Sequence, residues 1–188
     1  VNASLVLLVE DDYVWAEEAI TVLAYEMMQR PAIRYLSPYN HPYRRRRDRA
    51  DVRRHSTRVL RLDEKMSAVS TPQNTVTFIC RREELAADRH IWWLASYGDA
   101  PKDGYALWAI NEGRWFTLVG NAAYRDPSRV INLRTARLAI RAQSRWISRR
   151  RHALFQIEPS VATHVHVPYI ADDFDWRLVV SSIEEENR

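Results

Sequence analysis

Hydrophobic and polar positions alternate along the chain in a way that predicts strands and helices in turn. Leu5–Val9 is a continuous apolar run of strand length, and residues 14–29 carry Ala16, Ile20, Leu23 and Met27 at helical spacing, with Pro31 closing that helix. Ile33–Leu36 and Val76–Cys80 read as further strands, separated by the loop 37–43 with its two prolines and by a basic stretch, 44–58. Residues 83–97 predict a helix with Gly98 just beyond it, and 103–112 a second helix closed by Gly113. Trp115–Val119 is strand-like, 128–152 is a long Arg-rich helix, Leu154–Ile157 is the last strand, and a polar tail ends the chain. This order predicts an α/β fold with a mixed sheet flanked by helices, and ligands of such sheets sit beyond the carboxyl ends of the strands. Trp92 and Trp93 are expected in the core.

Composition narrows the class. At 188 residues, 46% of them hydrophobic, the chain is long enough for one packed domain and too apolar for a disordered tail. No apolar run reaches the roughly 18 residues of a membrane span. One cysteine, Cys80, cannot form an internal disulfide, so a reducing, cytoplasmic setting is expected. The formal charge is +4, with Lys65 and Lys102 the only lysines among 28 basic residues. Such arginine enrichment follows from codon usage alone, or from contact with phosphates and carboxylates.

The first strand ends in Glu10, Asp11 and Asp12. Three adjacent carboxylates repel one another, and a hard divalent cation is the usual remedy. Capping of the following helix by Asp11 or Asp12 is the alternative.

Two families end a strand in this way. Val6-Leu7-Leu8-Val9-Glu10-Asp11-Asp12 resembles the opening strand of response-regulator receivers, but Asp63 follows a weak strand and Lys102 follows Pro101, which departs from that family's pattern. A resemblance covering more of the chain is to metal-dependent GT-A glycosyltransferases, in particular a bacterial and phage group similar to family-2 enzymes. It rests on Val9-Glu10-Asp11-Asp12-Tyr13 in the place of the Asp-x-Asp motif and on the loop Ser37-Pro38-Tyr39-Asn40-His41-Pro42-Tyr43. Further matches are Asn74-Thr75-Val76-Thr77-Phe78, Asp103-Gly104-Tyr105-Ala106-Leu107-Trp108 and Pro159-Ser160-Val161-Ala162-Thr163-His164.

The resemblance implies an incomplete GT-A fold: residues 1–188 as the C-terminal, metal- and acceptor-side portion of a transferase, preceded by a nucleotide-binding half. It implies a nucleotide-sugar donor, a carbohydrate or other hydroxyl acceptor, and Mn2+ or Mg2+ as cofactor. Asp12 would be the first metal ligand, with His164 and His166 as further ligands from a late loop. Glu10 and Asp11 would face the donor, Glu10 in an orienting role, and Asp103 would be the base that deprotonates the acceptor. For Asp103 the plain alternative is a helix cap. The helix at 128–152 departs from the group and reads as an insertion. Arg44-Arg45-Arg46-Arg47, with Arg134, Arg137, Arg141 and Arg145, keeps open a second reading as a polyanion or nucleic-acid binder.

Overall fold

The computed structural model describes residues 4–40, 57–71, 77–96, 103–112, 154–166 and 170–186. The predicted strand 115–119 and helix 128–152 lie outside the described residues, as does the basic loop from 44 to 56.

Six strands form one mixed sheet: β1 (Leu5–Leu8), β3 (Tyr35–Ser37), β4 (Val59–Arg61), β5 (Ser67–Ser70), β6 (Phe78–Arg81) and β7 (Leu154–Glu158), in the order β1-β6-β3-β7-β5-β4. β3 and β7 are parallel; the other neighbouring pairs are antiparallel. The carboxyl ends of β1, β3 and β7 therefore share one edge with the start of β6. Beyond that edge lies a two-stranded ribbon, β2 (Tyr13–Trp15) against β8 (Ala162–His164).

Strand alternation sorts the side chains onto two faces. On one face Tyr35, Phe78, Cys80 and Leu154 pack with Ile91, Ala95, Ala106, Leu107 and Ile110 of the helices α3 (Arg89–Ala95) and α4 (Asp103–Glu112). On the other, Leu36, Ile79, Phe155 and Ile157 meet Leu23 and Met27 of α1 (Ala19–Gln29). A third cluster joins Tyr39, Ile170 and Ala171 to Trp176 and Val180 of α5 (Trp176–Glu186). No helix among the described residues is long and apolar enough to cross a membrane.

Four local expectations change. The predicted helix 14–29 begins only at Ala19, because Tyr13-Val14-Trp15 suit an extended strand and pair with β8. Its inward stripe is accordingly Ala19, Leu23, Glu26 and Met27, and Ile20 is 55% exposed. The helix predicted over 83–97 is two helices, α2 (Arg82–Ala87) and α3, broken at Asp88, whose buried carboxylate accepts hydrogen bonds from Arg34 Nη2 at 2.7 Å and Tyr35 Oη at 2.8 Å. Ile91 and Ala95 then point inward, Trp92 stacks on Phe78, and Trp93, about 200° round the helix from Ile91, is turned outward. Residues 59–70, where only a weak strand before Asp63 is expected, form the β4–β5 hairpin, and the polar tail holds α5.

Candidate functional site

The acids at the end of β1 do not cap a helix. α1 begins seven residues after Asp12, with Glu18 at its N-cap, and Asp11 and Asp12 occupy the turn between β1 and β2. That removes the plain structural explanation for Asp11 and Asp12.

The ribbon register brings the late histidine to them. Tyr13 is paired with His164, and the Val165 N–H donates to the Asp12 carbonyl at 3.0 Å, so Asp12 sits directly beside the end of β8. His164 Nδ1 lies 3.1 Å from Asp12 Oδ2, across 152 positions of sequence. His166, two residues on in the same strand direction, holds Nε2 3.9 Å from the same oxygen and is largely exposed.

The His164 ring is fixed from two sides. Its centroid is 4.2 Å from Tyr13 and 5.0 Å from the edge-on ring of Tyr39, which in turn meets Tyr13 at 5.5 Å. Burial pulls the His164 pKa below its ordinary value, and the hydrogen bond and charge of Asp12 only partly offset this. The imidazole is therefore neutral at neutral pH, the state in which it binds metal. Tyr39, buried beside Tyr13, Asp173, Asp172 and Asp12, has its phenol pushed well up and stays neutral.

Glu10 is held differently. Its backbone N–H donates to Thr77 Oγ1 at 3.0 Å, and the Thr77 hydroxyl lies 3.5 Å from Glu10 Oε2. Thr77 immediately precedes β6, so the side chain that opens one strand anchors the acid that follows its neighbour. Asp11 is exposed. Asp103 is the first residue of α4, a helix tied to the sheet at its far end, where Asn111 Nδ2 donates to the Thr71 carbonyl at 2.6 Å and Asn111 Oδ1 accepts from the Leu154 N–H at 3.3 Å.

The structure thus brings Asp12, His164 and, more loosely, His166 together at the carboxyl edge, with Glu10 and Asp11 on the same turn. Two ligands at right angles about a Mg2+-sized ion stand about 3.0 Å apart, close to the spacing of Asp12 Oδ2 and His164 Nδ1. That distance is equally a hydrogen bond in which the carboxylate accepts the Nδ1 proton, so an ion held by this pair would take the proton's place. Among the described residues no group of three or more His, Cys, Asp or Glu is arranged to hold a metal ion by itself. Ions of this kind take one or two protein carboxylates and complete their shell with water and substrate phosphate.

The receiver arrangement is not formed. Glu10–Asp12 follow β1, the first strand in the sheet order, whereas Asp63 follows β4, the last, and uses Oδ1 to accept the Lys65 and Met66 N–H groups of the hairpin turn. The arginines at 44–47, 134, 137, 141 and 145, on which a polyanion site would rest, lie outside the described residues.

Sequence reasoning passed over Asp173, and it treated Thr77, Tyr13 and Tyr39 only as motif letters. Tyr13-Val14-Trp15 is too short to mark a strand locally, and nothing local marks Asp173. No protein-family model, no curated protein and no solved structure matches the chain.

Proposed function

We propose that this chain is the metal- and acceptor-side part of a GT-A type glycosyltransferase that moves a sugar from a nucleotide-diphosphate donor to an acceptor hydroxyl. The observation that carries the reading is the convergence of Asp12 and His164 at 3.1 Å beyond the strand ends, where an acidic turn has no capping task. Asp12 and His164 would hold Mn2+ or Mg2+, and His166 would complete the ion's shell or meet a phosphate. When bound, the ion neutralises charge that develops on the departing diphosphate. Glu10, anchored by Thr77, fixes the turn; exposed Asp11 faces the donor; Asp103 at the head of α4 receives the acceptor's proton.

The test is Mn2+ binding to the 188-residue chain, followed by electron paramagnetic resonance. The chain should bind the ion, and the double substitution Asp12→Ala, His164→Ala should abolish binding. Retention of Mn2+ by the double variant, or no binding by the unaltered chain, refutes the reading. Salt-sensitive binding of DNA or RNA that ignores Mn2+ would instead favour the polyanion reading.

A further inference from the structure

His164 is held in place by a strand of three residues paired to another of three, which is little on its own to fix a ligand. The surrounding hydrogen bonds supply more. Pro38, in the loop after β3, accepts from the Val161 N–H at 2.9 Å and the Ala162 N–H at 3.3 Å. Ser160 Oγ accepts from the Asn40 N–H at 3.0 Å. Both donors of Ser160 go to one carboxylate oxygen: its N–H at 2.9 Å and its hydroxyl at 2.8 Å from Asp173 Oδ2. Two residues before Asp173, the Ala171 N–H donates at 2.7 Å to Thr163 Oγ1, on the opposite side of β8 from His164.

Three separate stretches therefore meet at Ser160: the β3 loop carrying Tyr39, the turn feeding β8, and the segment leading into α5. Tyr39 closes on the His164 ring from the first of these, and Ile170, Ala171 and Trp176 pack beneath Tyr39 from the third. Ser160 is buried, so loss of the carboxylate leaves two donors without an acceptor. The turn would shift to relieve them, and β8 with it.

We propose that Asp173 is a positioning residue for the Asp12–His164 pair: by gripping Ser160 it sets the start of β8, and so the distance and orientation at which the imidazole meets the carboxylate. Asp173 does not touch the ion; it acts through Ser160 and β8. The proposal rests on the metal-binding reading for its functional meaning and on the hydrogen-bond chain alone for its structural content.

Two readouts separate these. In the metal-free chain, Asp173→Ala should move the His164 ring resonances in 1H–13C spectra, assigned by their loss in His164→Gln. Mn2+ affinity should fall about 10- to 100-fold, the range for a lost supporting partner of a ligand. Asp173→Asn keeps an acceptor oxygen for Ser160 and should restore affinity to within about threefold of the original. Ser160→Ala, which removes only the hydroxyl, should shift the same resonances in the same direction and serves if Asp173→Ala does not fold. Unchanged His164 resonances in the folded Asp173→Ala or Ser160→Ala chain overturn the proposal, as does equal loss of affinity in Asp173→Asn and Asp173→Ala. A chain that never binds Mn2+ but shows the ring shifts would refute the metal site and leave the positioning role standing.

Discussion

At the residue scale the costliest side chains are the charged ones inside the sheet's packing. Arg34 sits between Glu84, Nε to Oε2 at 2.6 Å, and Asp88, Nη2 to Oδ2 at 2.7 Å, and Asp88 has no exposed surface. Burial pulls the guanidinium down, but the two carboxylates outweigh it and its pKa ends above the ordinary value. Asp88→Ala takes the carboxylate acceptor from Arg34 Nη2 and from the Tyr35 hydroxyl while Glu84 still balances the guanidinium charge, so it should cost about 1–3 kcal/mol in urea unfolding. A loss under 1 kcal/mol would mean that water reaches Arg34. Cys80 lies close by on β6, fully buried, and burial with the charges of Asp88 and Glu84 pushes its thiol up to about 12. Only the thiolate reacts with iodoacetamide. Alkylation at pH 8 should therefore track unfolding in urea, and rapid labelling of the folded chain would contradict the packing described.

At the element scale, the elements that read clearly are those with a long, one-sided signal. β1, β6, β7 and α4 were legible because each lies within a run of apolar residues or of helical spacing in the sequence. β2 was not, since three residues of strand have too short a period to stand out from the helix that follows, and only pairing with β8 makes them extended. Of the site, the acidic turn was legible because three carboxylates follow one apolar run, whereas His164 came only with the family resemblance. Their supports, Thr77, Tyr39 and Asp173, were not, because each is defined by a partner at least 13 residues away. α5 falls between these cases. Trp176, Val179 and Val180 stand at i, i+3 and i+4, yet its polar residues dominate the composition. Trp176 is 3% exposed against Tyr39, so Trp176→Ala should cost about 3–5 kcal/mol, whereas Leu178→Lys, at a position 68% exposed on the same helix, should stay within about 0.5 kcal/mol. Equal losses from the two substitutions in thermal melts would show that α5 packs differently.

On the scale of the whole molecule, stability and chemistry occupy different places. β3 and β7 lie in the middle of the sheet with helices over both faces, so their amides, and those of Ile79 and Cys80 beside them, should open only with global unfolding. Among the described residues the β2–β8 ribbon is a separate two-stranded sheet, tied to its surroundings by single bonds through Pro38 and Ala171. It can open locally, and when it does Asp12 and His164 part. Hydrogen exchange without metal should therefore find the Val165 N–H, bonded to Asp12, and the Ala16 N–H, bonded to Val161, far less protected than Cys80. An ion that binds only the closed ribbon adds about 2.7 kcal/mol to the cost of opening at 100 times its Kd. Mn2+ at that concentration should then slow exchange at Val165 and Ala16 roughly 100-fold. The same Mn2+ should leave these two amides unprotected in Asp12→Ala, where the carboxylate is gone but the backbone carbonyl that holds Val165 remains. Slowing in both chains would place the ion elsewhere, and slowing in neither would mean that the ribbon closes without its help.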